Sequence, residues 1–249
     1  MKTFLINLDR SVDRLEVMKK RLADLGLRFE RVSAIEGSKV SSESYHSQSP
    51  SPRYPHHLTP GEIGCFLSHK KCWEILIKSN EEWALILEDN CIFSPSAACY
   101  LYNTNWIPDD CDLINLCNRS GIYIYADKSI ALDDGNTLVR VKASSPIGTY
   151  AYFISKEAAR VALEKADKIC EPIDNFLFGP YSEFSALIEH WRLLGTVVKR
   201  CDNTQTVITG RSNNNRSWYS LHPWRLLNKI KIKFLRSRMC ALKHYSFKE

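Results

Sequence analysis

Three consecutive polar residues, Glu88, Asp89 and Asn90, close the apolar run from Trp83 to Leu87. A short apolar run of this kind reads as a buried strand. The triplet therefore falls at a strand's carboxyl end, which is where open α/β sheets bind their ligands. Carboxylates there suit a hard divalent cation such as Mn²⁺ or Mg²⁺, which takes oxygen ligands and bridges them to a substrate's phosphates. A departing diphosphate, whose negative charge grows as its bond breaks, is the kind of group such an ion serves. Asp89 is the expected metal and phosphate contact, with Glu88 assisting and Asn90 offering a carbonyl oxygen. The alternative reading of the same triplet is a solvated acidic turn.

Other side chains join this list by position. Asn7 and Arg10 close the first apolar run, and Arg14, one helical turn later, is placed to reach a phosphate; a helix cap and two solvated arginines are the alternative. Glu62, Ser68 and His69 share one segment with Gly61 and Gly64, where the backbone can approach a ligand closely. His69 is a candidate for hydrogen bonding to a donor substrate or for proton transfer, against a purely structural histidine. Thr149 and Tyr152 are candidates for the cleft wall, against a place in the sheet core. The nine cysteines contain no Cys-x-x-Cys pair and mostly sit in apolar runs, so they read as small buried hydrophobes, and Cys65 is given no chemistry.

The elements that must position these groups follow from periodicity. Thr3 to Leu8 reads as a buried strand, Val12 to Leu25 as a helix with Leu15, Met18, Leu22 and Leu25 on one stripe, and Arg28 to Ser33 as a second strand. That order implies a right-handed crossover and a parallel pair. Ser38 to His57, rich in serine and proline, reads as a long surface loop. Gly61 to about Ser79 reads as a helix leading into the strand Trp83 to Leu87. Further strands are expected at Asp112 to Cys117, Gly121 to Ala126, Leu138 to Lys142, Thr149 to Ile154 and Thr196 to Lys199. Helices are expected at Ser155 to Lys165 and Ser182 to Leu193.

Several blocks, in order, resemble glycosyltransferase family 25, the lipooligosaccharide biosynthesis glycosyltransferases: FLINLDRSVDR (Phe4 to Arg14), FERVSAIEG (Phe29 to Gly37), LTPGEIGCFLSHKKCWE (Leu58 to Glu74), ALILEDN (Ala84 to Asn90), YAYFISKEAA (Tyr150 to Ala159) and EPIDNFL (Glu171 to Leu177). The resemblance implies an α/β, GT-A-like nucleotide-sugar-binding fold with a mostly parallel central sheet flanked by helices. It also implies inverting transfer from a UDP-sugar, galactose first and glucose next, with Mn²⁺ or Mg²⁺ held by Asp89 and Asn90. The family's acidic motif usually ends in a second aspartate, so Asn90 weakens the case for the metal. On this reading Asn7, Arg10, Arg14, Glu62, Ser68, Glu88, Asp89 and Thr149 contact the donor. Inversion needs a base that deprotonates the acceptor hydroxyl. Asp174, in a matched block remote in sequence from the acidic triplet, is the first candidate, with Glu171 and Glu183 as alternatives and a helix cap as Asp174's other reading. His69 is the second catalytic candidate.

The 249 residues carry a net charge of +6 with 44% hydrophobic and 25% charged residues, an ordinary globular balance. Residues 1–210 read as the catalytic domain and 211–249 as a basic amphipathic tail. From residue 221 on, eight basic residues face Glu249 alone, which concentrates the positive charge there. On a helix, Arg225, Lys229, Lys233 and Arg236 oppose Trp224, Leu227, Ile230 and Phe234, the pattern of an anionic membrane surface contact; the run KIKIKF also suits a strand. No run approaches the length of about 18 apolar residues that a spanning helix needs, and the scattered cysteines suit a reducing compartment. The expectation is a bacterial protein, peripheral on the cytoplasmic membrane face, with a lipid-linked oligosaccharide of lipopolysaccharide type as acceptor. Nucleic acid is not an expected partner, because the body is near neutral. A non-catalytic carbohydrate- or membrane-binding protein that retains the fold is the alternative function.

Overall fold

The computed structural model describes residues 1–41, 46–47, 57–118, 123–144, 148–180, 182–195, 197–201 and 243–246. Along the chain run β1 (Lys2–Asn7), α1 (Val12–Asp24), β2 (Glu30–Ser33), a 3₁₀ turn (Gly37–Lys39), β3 (His46–Ser47), α2 (Pro60–Lys78), β4 (Trp83–Glu88), β5 (Cys91–Phe93) and α3 (Ala97–Leu101). There follow β6 (Leu113–Asn115), β7 (Tyr123–Ala131), β8 (Thr137–Ser144), β9 (Ala151–Ser155), α4 (Lys156–Lys165), β10 (Lys168–Ile169), α5 (Ile173–Phe178), β11 (His190–Leu194), β12 (Val198–Arg200) and β13 (Lys243–Ser246). Nine strands form one sheet in the order β13-β7-β8-β11-β6-β9-β4-β1-β2, and the pairs β10-β3 and β12-β5 stand apart from it.

Helices cover both faces of this sheet. Leu5, Leu85, Leu87, Ile114, Phe153, Trp191 and Leu193 point to one side, where they pack with Met18 and Leu22 of α1 and Tyr100 and Leu101 of α3. Phe4, Ile86, Leu113, Tyr152 and Ile154 point to the other and meet Phe66, Trp73 and Leu76 of α2, Ala158, Ala159 and Ala162 of α4, and Phe176 and Leu177 of α5. This two-faced burial is why β1 and β4 read as continuous apolar runs rather than alternating ones.

The helix α2 carries much of the site, and its start is fixed locally. Thr59 and Glu62 form a reciprocal capping box: the Glu62 amide donates to Thr59 Oγ1 at 3.2 Å and the Thr59 amide to Glu62 Oε2 at 2.9 Å. Pro60 occupies the first turn, where its missing N–H costs nothing. Gly37 and Gly64 face each other backbone to backbone; a Cβ on Gly37 would collide with the Pro60 carbonyl, and one on Gly64 with the Ile35 carbonyl. The chain after β2 and the first turn of α2 are thereby held in direct contact.

The large central sheet flanked by helices agrees with the sequence reading, with differences in detail. Within the large sheet, parallel pairing among the described residues is confined to β2-β1-β4 and to β6-β11, and the remaining pairs are antiparallel. The helix expected over Ser182 to Leu193 does not form: a turn-rich segment ends in β11, which lies between β6 and β8. Phe184, Leu187, Ile188 and Trp191 mimic a helical stripe in spacing, yet Trp191 is fully buried in the sheet core and Leu187 is exposed. Most of the loop from Ser38 to His57, and the helical face from Arg225 to Arg236, lie outside the described residues. Lys243–Ser246, within the expected tail, extends the sheet antiparallel to β7.

Candidate functional site

The site lies where β1 and β4 end side by side. Their parallel pairing, with Ile6 opposite Glu88, brings Asn7 next to the acidic triplet. Asn7 Nδ2 donates to Asp89 Oδ2 at 2.7 Å and to the Ser11 carbonyl at 3.0 Å, and its Oδ1 accepts from Arg31 Nε at 3.1 Å. From α1, Arg14 brings NH1 to 3.3 Å from Asp89 Oδ1 and fixes its fork on Ser11 Oγ at 2.8 Å. Asp89 is only 9% exposed. Burial raises its carboxyl above the ordinary value, and the Asn7 hydrogen bond and the Arg14 charge offset this only in part. Beside it Asn90 is buried, and its Oδ1 has no hydrogen-bond partner among the described residues. A buried carbonyl oxygen left unpaired is costly. Next to a carboxylate, it belongs to the donor set of a hard cation, so Asp89 and Asn90 fit Mn²⁺ or Mg²⁺.

Glu88 points the other way, toward α2. Its Oε1 accepts from Thr149 Oγ1 at 3.0 Å and lies 3.6 Å from His69 Nε2. Burial alone would raise this carboxyl, but His69, Thr149 and the charge of Arg200 outweigh it and hold Glu88 below its ordinary value. Adjacent carboxylates are thus driven in opposite directions. His69 is fully buried, with Nδ1 2.9 Å from the Tyr152 hydroxyl, which also accepts from Trp73 Nε1 at 3.1 Å. Cys65, one turn before His69 on α2, sits among negative groups: burial and then the charges of Glu88, Asp174 and Glu62 push its thiol well up.

The sequence profile described as glycosyltransferase family 25 (LPS biosynthesis protein) matches residues 1–177. The chain belongs to glycosyltransferase family 25. A family 25 member of Drosophila melanogaster is 30% identical over 186 residues, covering 70% of this chain and 29% of the fly protein. Procollagen galactosyltransferase 1-B of Xenopus laevis is 31% identical over 187 residues, 70% of this chain and 30% of the frog protein. Human procollagen galactosyltransferase 2 is 29% identical over the same length, with 29% of it covered. The chain spans less than a third of the length of these relatives, all of them animal proteins. In three dimensions it is similar to a glycosyltransferase involved in glycosylation of the major capsid of PBCV-1, with a TM-score of 0.48 and 9% identity over 82% of this chain and 94% of that one.

Within this family 25 chain, the structure gathers Asn7, Arg14, Glu88, Asp89, Asn90, Thr149 and His69 at one sheet edge. Three expected donor contacts are used elsewhere. Arg10 pairs with Glu36. Glu62 completes the capping box of α2. Ser68 is buried, accepts from the Ile35 amide at 2.8 Å and donates to the Gly64 carbonyl at 2.6 Å, which ties α2 to the chain after β2. Asp174 lies in the first turn of α5, which packs on α2, and accepts from the Asn175 amide at 3.0 Å. Glu171 is half-buried and Glu183 exposed.

Sequence reasoning passed over Arg200 and Cys65. Arg200 reaches the site because β12 pairs with β5, placing it opposite Cys91, and the Cys201 amide donates to the Asn90 carbonyl at 2.8 Å. Nothing local in the sequence signals that pairing. For Cys65, the four-residue spacing to His69 on a helix was the available signal.

Proposed function

We propose that this chain transfers a hexose, galactose first and glucose next, from a UDP-sugar to a hydroxyl of a glycan acceptor, with inversion. The observation that carries the reading is the buried Asp89 carboxylate held by Asn7 and Arg14 beside the Asn90 side-chain Oδ1, which has no partner among the described residues, within the stretch that matches the family. Bound between Asp89 and Asn90, Mn²⁺ or Mg²⁺ would neutralise charge on the departing diphosphate. Arg14 and Arg200 bring two further positive charges to the acidic pair, which suits a nucleotide diphosphate. The mixed sheet flanked by helices, with its ligand edge at the ends of β1 and β4, is compatible with a GT-A-like donor site.

Asp174 is our candidate for the base that takes the acceptor proton. It comes from α5, a different element from the end of β4 that carries Asp89, and its charge is felt at Cys65. The galactose assignment leans on the names of the vertebrate relatives. For the acceptor, the family's description favours a lipopolysaccharide-type glycan and those relatives' names favour procollagen. We take a lipid-linked glycan, with residues 221–249 against an anionic membrane on the cytoplasmic side. The test is UDP release from a panel of UDP-sugars with and without Mn²⁺, offered lipooligosaccharide and procollagen acceptors in parallel. Selective turnover of one UDP-hexose, abolished in a folded Asp89→Ala variant, supports the transferase. Turnover that survives that substitution removes Asp89 from the mechanism.

A further inference from the structure

Beside the donor corner, three potential ligands of a softer metal meet: Cys65 Sγ, a ring nitrogen of His69 and a Glu88 carboxylate oxygen all lie within 4.8 Å of one another, and Nε2 is the His69 nitrogen that faces Glu88. Cys65 and His69 project from one face of α2 four residues apart, and Glu88 comes from the end of β4. We propose that these three side chains form a binding site for a thiophilic divalent metal of the Zn²⁺ class, separate from the Asp89–Asn90 position. The inference goes beyond the transferase reading and does not depend on it.

Four observations support it. First, His69 is fully buried, yet its Nε2 has no hydrogen-bond partner among the described residues and faces Glu88. At 3.6 Å the nitrogen and the carboxylate oxygen lie beyond ordinary hydrogen-bond distance. That separation is what a tetrahedral ion imposes: bonds of about 2.0–2.3 Å set ligand atoms roughly 3.3–3.8 Å apart. Second, the other ring nitrogen is already oriented. Nδ1 lies 2.9 Å from the Tyr152 hydroxyl, itself fixed by Trp73, and metal-bound histidines characteristically anchor their second nitrogen in this way. Third, the electrostatics call for a cation. Cys65 sits in the field of Glu88, Asp174 and Glu62, and a divalent ion with one thiolate and one carboxylate makes a locally neutral group. Fourth, Thr149 uses only one lone pair of Glu88 Oε1, which leaves the other for coordination, and the Glu88 side chain is 26% exposed, so a fourth position can open to the cleft.

Chemically, the S–H bond breaks as the thiolate–metal bond forms, and the thiol proton is released to solvent. The set of one sulfur, one nitrogen and one carboxylate oxygen favours Zn²⁺ or Co²⁺ over Mg²⁺. Glu88 would then anchor this ion rather than contact the donor.

The test uses the full-length protein, stripped of metal and titrated with Co²⁺ while its absorption is recorded, and separately with Zn²⁺ by calorimetry. The expected result is one equivalent bound, a sulfur-to-cobalt charge-transfer band with tetrahedral visible bands, and displacement by Zn²⁺. The charge-transfer band disappears in Cys65→Ser and persists in Asp89→Ala. Tyr152→Phe weakens Zn²⁺ binding by about 10- to 100-fold through the loosened histidine. Should Cys65→Ser fail to fold, His69→Gln takes its place, with loss of the tetrahedral bands expected. A native protein without the sulfur band overturns the proposal, as does a band that survives Cys65→Ser or vanishes in a folded Asp89→Ala. No readout involves sugar transfer, so failure here leaves the transferase reading untouched and failure of turnover leaves this site untouched.

Discussion

Replacing Asn7 with alanine isolates what holds Asp89 in place. The bond removed is a buried, charge-assisted one of 2.7 Å, and the acceptor that loses it is only 9% exposed. Hydrogen bonds to charged groups contribute about 1.5–3 kcal/mol. At 1.4 kcal/mol per tenfold, that is a loss of roughly 10- to 100-fold in kcat/KM if a placed, ionised Asp89 is required. The direction of the pH effect follows from the same contact. Burial already raises the Asp89 carboxyl above 3.8, and Asn7 is the first of the groups that oppose it. Without Asn7 the carboxylate is harder still to ionise, so the acid limb of the kcat/KM profile moves to higher pH. For stability the sign is that of a raised acid: its favourable contribution is complete below 3.8 and is lost as pH rises through the folded-state value. The variant should therefore lose more stability near neutrality than at low pH. The assay is UDP release across pH with thermal melts at each point. A folded Asn7→Ala protein whose kcat/KM stays within about twofold of native, with its acid limb unmoved, would refute the assignment of Asp89 as the working carboxylate.

Other substitutions probe the remaining parts. Asn90→Asp should lower the melting temperature of the metal-free protein, because a third carboxylate joins Glu88 and Asp89, while enlarging the upward shift produced by Mn²⁺; a Mn²⁺ shift no larger than native speaks against Asn90 as a ligand. Arg200→Ala should raise the donor KM more than it lowers kcat, and an unchanged KM removes Arg200 from the donor site. Thr59→Ala should cost about 1 kcal/mol through the lost cap. In a chain of this size that lowers the melting temperature by about 2–4 °C. Its kinetic constants should stay native, since Glu62 serves the helix start; a raised donor KM would return Glu62 to the donor site. Gly64→Ala should destabilise the fold by pushing α2 off the Ile35 carbonyl, a change visible in the melt even where secondary structure is retained.

The parts of the fold that sequence could reveal are those whose signals are local. α1 and α2 carry helical stripes, β1 and β4 stand out as short continuous apolar runs, and the acidic triplet announces itself by closing one of them. β11 was misread because Phe184, Leu187, Ile188 and Trp191 satisfy helical spacing by coincidence, and only the sheet's need for a strand between β6 and β8 decides against it. Ser68 and Glu62 were placed at the donor because their block is distinctive. In the structure that block holds the capping box and the close backbone contact at Gly37 and Gly64. Arg200 could not be found by pattern, since it arrives through the pairing of β12 with a three-residue strand more than a hundred residues earlier.

The position of β11 also orders events at the ribosome. Synthesis proceeds from the N-terminus, so β6 and the β7–β8 hairpin are made well before residues 190–194 emerge. Without that strand the sheet lacks the pairing that joins its two parts, and Leu138 and Val139 of β8 would border an edge left unpaired. A ribosome paused between β8 and β11 would hold a half-sheet ready to pair with its neighbours on the same message. The family match ends at residue 177, upstream of the strand that joins the two pieces. A polypeptide cut at that point would keep Asp89 and His69 yet lack both the keystone of the sheet and Arg200.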